Sequence, residues 1–135
     1  MKLSRGIALS VVLSASFATA VLAQEAPPKE PFKAVHLIAL KSPAEVTELQ
    51  AALADMNAAI AKVGYADVRY RLFKVVGKQT GKYNYMWESA WPGGEVYDKV
   101  HNSPDWSAAV KRHPRVEELM RENDVYNRYV EVTKP

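Results

Sequence analysis

The chain contains no cysteine. That excludes disulfides, thiolate metal centres, iron–sulfur clusters and a thiol nucleophile. An excess of charge of one sign is also missing: 18 Lys and Arg stand against 15 Asp and Glu, a formal net charge of +3. No basic patch of the kind that tracks a phosphate backbone stands out, so nucleic acid is not an expected partner. At 135 residues there is no room for a separate cofactor domain. GxGxxG, GxSxG and the phosphate-cradling P-loop are absent, which leaves dinucleotide, serine-hydrolase and NTPase readings without support. The three histidines lie far apart, without an i, i+4 pair or clustered carboxylates, so no metal site is expected.

What is present begins with a leader-like segment. Lys2 and Arg5 precede an apolar run from Ile7 to Phe17, and the small residues Ala18, Ala20 and Ala23 follow. This is the layout of a cleavable secretory signal over residues 1–23, with cleavage after Ala23, or alternatively after Ala20. A membrane-spanning helix needs about 20 apolar residues, and this run is shorter and interrupted by serines. The expected location is periplasmic or secreted, with no membrane attachment after cleavage. The remaining 112 residues carry 16 basic against 15 acidic side chains. Residues 24–31 (QEAPPKEP) hold three prolines and no pattern, as expected of a flexible lead-in, and 32–135 form one domain.

Within that domain, Phe32 to Lys41 is short, apolar and partly β-branched, and reads as a strand. Ser42-Pro43-Ala44-Glu45 supplies an N-cap, a first-turn proline and a capping-box glutamate. Val46, Leu49, Leu53, Met56, Ile60 and Val63 then form one helical stripe that Gly64 closes. Asp67 to Val76 and Lys82 to Trp91 read as strands joined by a glycine-flanked loop. A helical region from about Glu95 to Glu122 is expected to break at Ser103-Pro104 and His113-Pro114, and Val125 to Val132 reads as the last strand. The order β-α-β-β-α-β is the ferredoxin-like α+β unit. Right-handed crossovers put the third strand between the first and second, and the fourth beside the first. Both sides of the first strand are apolar, so the face without helices should be buried against a second copy. The face bearing His36 and the third-strand aromatics is the one expected to make that contact.

Three stretches resemble the dimeric α/β-barrel superfamily, nearest to its stress-responsive barrels and antibiotic-biosynthesis-type monooxygenases. They are Ala34 to Lys41, with a histidine on the first strand; Trp87 to His101, a strand-end aromatic followed by a helix that runs into a histidine; and His101 to Trp106, a helix break. The resemblance covers roughly Ala34 to Val132. It implies a homodimer whose sheets face each other, and it spans cofactor-free monooxygenases, haem-degrading enzymes, a polyketide cyclase and proteins without an assigned reaction. In the haem-degrading members a histidine on this helix, here His101, ligates iron while an asparagine on the first strand assists; this chain has His36 at that strand instead. Where the cyclase has its catalytic histidine, this chain has Trp106, so that mechanism does not carry over.

The alternation of the third strand places Tyr83, Tyr85, Trp87, Ser89 and Trp91 on one face, beside His36. Such a face suits a small hydrophobic or aromatic ligand, and it equally suits packing at an interface. His36 is the candidate catalytic base and also a candidate core histidine. Tyr85, Trp87, Trp91, His101 and Arg71 are the candidate ligand-binding residues. Arg71, with Arg69 on the same strand face, could receive a carboxylate, or could simply be solvated. Three functions remain open. The first is an exported small-molecule-binding barrel that acts as a cofactor-independent monooxygenase-like enzyme through a histidine base. The second is a non-catalytic stress-associated binding protein. The third is a haem-handling protein. The expected cofactor is none, with haem the exception under the third.

Overall fold

A computed structural model of the chain describes residues 25–78, 81–122 and 125–133, and the leader-like segment 1–23 lies outside them. The strands are β1 (Phe32–Ile38), β2 (Tyr70–Lys74), β3 (Tyr85–Trp91) and β4 (Val125–Val130). The helices are α1 (Pro43–Val63), α2 (Gly94–His101), α3 (Pro104–Lys111) and α4 (Pro114–Glu122). The sheet is antiparallel in the order β2-β3-β1-β4, as the crossover argument expects. Among the described residues, no helix is long and apolar enough to cross a membrane.

Local chemistry sets the helix boundaries. The Ser42 hydroxyl accepts from the Glu45 amide, and Glu45 reaches back to accept from the Lys41 amide at 2.6 Å. Gly64 ends α1 in the left-handed region at φ 105°, where a β-carbon would be strained. The second helical region breaks at both prolines, because each lacks an N–H and its ring crowds the preceding turn. Ser103 caps α3 by accepting from the Trp106 amide at 3.2 Å.

Two side-chain amides trim the strands relative to the sequence expectation. β1 stops at Ile38 rather than Lys41. Beyond it, the Asn84 side chain accepts from the Leu40 amide and donates to the Leu40 carbonyl, both at 2.8 Å. β2 begins at Tyr70 rather than Asp67. There Asn57 of α1 accepts from the Tyr70 amide at 2.7 Å and donates to the Tyr70 carbonyl at 3.1 Å. An asparagine thus does the work of a neighbouring strand at an otherwise unpaired edge.

The two sheet faces are distinct. Phe32, Ala34 and Ile38 of β1, Trp87, Ser89 and Trp91 of β3 and Tyr70 of β2 are buried, in one core with Leu49, Met56 and Ile60 of α1 and Val100 of α2. This helix-covered face is the one that carries His36. The expectation that it forms the contact with a second copy is therefore corrected. The helices took that face because it holds the larger, wholly buried aromatics, a choice hidden by the apolar character of both sides of β1. The open face carries Val35 and Leu37, Met86 and Ala90, Phe73 and Tyr129, with Phe73 39% and Tyr129 53% exposed.

Residues 25–31 have almost no regular structure, yet they are seated closely on the domain. A β-carbon on Gly94 would come within 2.7 Å of the Pro28 carbonyl oxygen, and one on Gly93 within 2.5 Å of that of Lys29. The Glu25 carbonyl accepts from Arg128 Nη1 at 2.6 Å.

Replacing Asn57 by Ala removes both hydrogen bonds to the buried Tyr70 backbone. Asn57→Ala should lower unfolding stability by about 1–3 kcal/mol. Urea denaturation checks this through a lower midpoint at unchanged slope. A midpoint equal to the parent's would show that water replaces Asn57 without loss.

Candidate functional site

The pleat and the register build one side of the site. Leu72, Trp87, His36 and Tyr126 form a row across β2, β3, β1 and β4 on the helix-covered face. The His36 imidazole lies between its neighbours, 4.5 Å from the Trp87 ring and 4.4 Å from the Tyr126 ring, the second contact stacked at 28°. No hydrogen bond joins the His36 ring to another of the described residues.

The helices build the other side. The stretch after β3 starts α2 at Gly94 and ends it at His101, so His101 sits on the last turn, facing the sheet. Its Nδ1 lies 2.7 Å from the Tyr97 carbonyl oxygen, one turn earlier. A carbonyl can only accept, so Nδ1 carries the proton and Nε2 bears the lone pair. The Tyr70 hydroxyl, 3.1 Å from Nε2, is then the donor. Tyr97 stacks on His101 at 3.7 Å, and Trp106 of α3 lies 4.4 Å from its other flank.

Between these walls lies a cavity of about 450 Å³, lined by His36, Trp87, Tyr126, Tyr70, His101 and Trp106. Met56 and Met120 add polarizable apolar surface, and Asp98 and Asn102 stand with His101 on its α2 side. The indole N–H groups of Trp87 and Trp106 are buried, and that of Trp87 finds no acceptor among the described residues. The Trp106 N–H donates toward the Tyr70 phenol in a geometry looser than a full hydrogen bond. A buried N–H without an acceptor costs on the order of 1–3 kcal/mol.

Burial governs the electrostatics. It pushes His36 down from the ordinary 6.5 to about 4, and the facing His101 adds to the lowering. It pushes His101 down to about 4 as well, against the upward pull of the Tyr97 carbonyl and Asp98, while Arg128 adds to the lowering. Burial, reinforced by Tyr97 and Tyr126, raises the Tyr70 phenol well above its ordinary value. Near neutral pH the cavity therefore presents two neutral imidazoles and protonated phenols.

The structure brings together three of the residues expected at the site: His36, Trp87 and His101. Trp91 is buried behind them, donating to Ser89 Oγ at 2.7 Å and packing on Tyr97 and His101. Tyr85 is on the same face but opens beside Asn84 and the start of α1. Arg71 pairs across from Glu88 on the opposite face and is exposed, away from the cavity. Tyr70, Tyr97, Trp106 and Tyr126 were not among the expected binding residues. The alternation of β4 could have exposed Tyr126, since it puts that tyrosine on the His36 side.

Haem does not fit the residue expected to hold it. Both nitrogens of His101 are engaged, and the Nε2 lone pair already accepts from Tyr70. Among the described residues, no three His, Cys, Asp or Glu side chains gather to hold a metal ion.

No protein-family model and no curated protein matches the chain. Solved structures do match. A dimeric ferredoxin-like protein of unknown function from Thermobifida fusca YX aligns with a TM-score of 0.51 and 14% identity, covering 76% of this chain and 92% of that one. A DABB family protein with a ferredoxin-like fold from Mesorhizobium loti aligns at 0.50 and 14%, covering 76% and 98%. A dimeric ferredoxin-like protein of unknown function from Jannaschia sp. CCS1 gives the same TM-score, identity and coverage. The chain is a ferredoxin-like α+β protein, and its structural neighbours are the dimeric ferredoxin-like and DABB proteins to which the resemblance pointed. At this identity the likeness shows the fold.

The two lowered histidines make stability pH-dependent. As pH falls below 6.5 the unfolded chain takes up protons at these positions, while the folded chain does not until about 4. Stability should therefore fall between those limits, by at most about 3 kcal/mol per histidine. Glu45 and Asp55 are lowered from 4.5 and 3.8, Glu45 by the Lys41 amide and Arg115, Asp55 by His113 and Arg112. Their contributions are lost only at lower pH, so the window from 6.5 to 4.5 reports the histidines. Urea midpoints across that window should drop in the parent and drop less in His36→Gln. Parallel profiles would show that His36 titrates freely in the folded chain.

Proposed function

We propose that the cavity between sheet and helices binds a small, flat, acceptor-bearing organic molecule, and that His36 takes a proton from it. One observation carries this reading: a cavity walled by aromatic rings holds a neutral imidazole that makes no hydrogen bond among the described residues. The rings of Trp87, Tyr126 and Trp106 match a planar ligand. Deprotonating such a ligand leaves an anion in a site where water is scarce. The new imidazolium forms beside that anion, which offsets the burial that keeps free His36 near 4. This is the opening step of a cofactor-independent monooxygenase-like reaction, in which the anion would next meet dioxygen. Without that second step the same cavity is a binding site of the stress-associated kind.

The protein is exported in this reading, and two copies meet through the open sheet face of Val35, Leu37, Met86 and Phe73. That face also carries Lys33, Glu88 and Arg71, and its apolar part needs a cover. Native mass spectrometry of the exported protein reads these points together. The expected species is a dimer of chains beginning at Gln24, with retained ligand as added mass. A monomer, or a chain that still begins at Met1, would remove the corresponding claim.

The proton step can be read without knowing the substrate. 4-Nitrophenol is planar, bears acceptor oxygens and is coloured only as the phenolate. Bound to the parent protein, its ionisation should shift to lower pH by about one unit or more relative to His36→Gln. Equal ionisation in parent and His36→Gln, with equal melting temperatures, would make His36 a ring in the wall and not a base.

A further inference from the structure

Arg128 stands near the cavity and is left unused by the proposed reaction. It follows Tyr126 by two residues on β4 and pairs across from Ala34, which lines the cavity, so it stands on the same sheet face one row from His36. Its guanidinium is half-buried within a partial cage of rings, 5.2 Å from Tyr97, 5.4 Å from Tyr126 and 6.0 Å from Phe32. Nε donates to the Tyr126 hydroxyl at 3.0 Å, and Nη1 donates to the Glu25 carbonyl at 2.6 Å. Among the described residues no carboxylate pairs with it, although seven ion pairs occur elsewhere. A second hollow of about 450 Å³ opens on Arg128 and Asn127 and shares Tyr126 with the main cavity. The positive charge is felt inside, since it helps hold His101 neutral once burial has acted.

A half-buried guanidinium held by neutral partners has fork donors to spare and gains most from a carboxylate. We propose that Arg128 is an anion site in the hollow that meets the cavity at Tyr126, and that the ligand is an aromatic carboxylic acid, its ring against Tyr126 and its carboxylate on the guanidinium. The imidazole and the guanidinium both pack on the Tyr126 ring, 4.4 Å and 5.4 Å from its centre. The acidic side chains nearby, Asp98 on the main cavity and Glu25 on the hollow, form no ion pair with Arg128 among the described residues and oppose an anion that does not reach the guanidinium. The inference rests on the reading of the cavity as a ligand site, and the experiment separates the two.

Three probes sharing one ring system are titrated by quenching of tryptophan fluorescence: 1-naphthol, 1-hydroxy-2-naphthoate and its methyl ester. The parent should bind the acid roughly ten- to a hundredfold more tightly than the ester. Arg128→Met should lose that preference and keep its affinity for the ester, and Arg128→Lys should retain part of the preference. Because Arg128 also fastens residues 25–31, a purely structural role would weaken acid and ester together, and that outcome overturns the subsite. An ester that binds as tightly as the acid in the parent also overturns it, while binding of naphthol leaves the cavity reading standing. If none of the three binds, both readings fall.

Discussion

The Asn57 side chain, bonded to both backbone groups of Tyr70, is the constraint on which the site depends. It ties the longest helix to an edge strand that has a partner on only one side. It fixes where β2 begins, and so which way the Tyr70 ring turns. The Tyr70 hydroxyl then meets His101 Nε2, and the Tyr97 carbonyl fixes the opposite nitrogen. Through these bonds α1, β2 and α2 hold one imidazole in one tautomer. The cavity wall is thus defined by hydrogen bonds that do not involve a ligand, which is what a preformed site requires.

The two histidines play different parts, though both lie near 4. His101 has both nitrogens satisfied and behaves as a wedge between rings. His36 has only ring faces for company among the described residues, so its nitrogens are the ones left to act. Burial makes each neutral, and neutrality is what lets a histidine accept a proton at all. Burial leaves each a weak base at rest.

Much of the fold was legible in short-range signals. Ser42-Pro43 and Gly64 bounded α1 to the residue, and the prolines at 104 and 114 marked both helix breaks. The strand order followed from connection rules once the element order was known. Strand ends were less legible, because Asn57 and Asn84 substitute for ladder bonds from 13 and 44 residues away in sequence. The alternation of β1 and β3 correctly put His36 beside Trp87. It could not say which face the helices would cover, since Val35 and Leu37 are as apolar as Ala34 and Ile38. That single ambiguity moved the site from between two copies to within one. Arg71 illustrates the same limit: an arginine on a strand has a face but no depth until the layers are stacked. The tyrosines at 70, 97 and 126 converge from three elements, a convergence that no periodicity within one element encodes.

The position of β1 at the centre of the sheet bears on how the chain is made. Its first strand has no neighbour until Tyr85–Trp91 arrives on one side, and it is not flanked on the other until Val125–Val130 arrives. A polypeptide emerging amino end first therefore carries its central strand bare for most of its synthesis. The backbone hydrogen bonds of α1 are local and can form early, while its packing partner α3 comes much later in the chain. Pairings of such long sequence separation close late and slowly. The four-stranded order is complete only when the last strand is released.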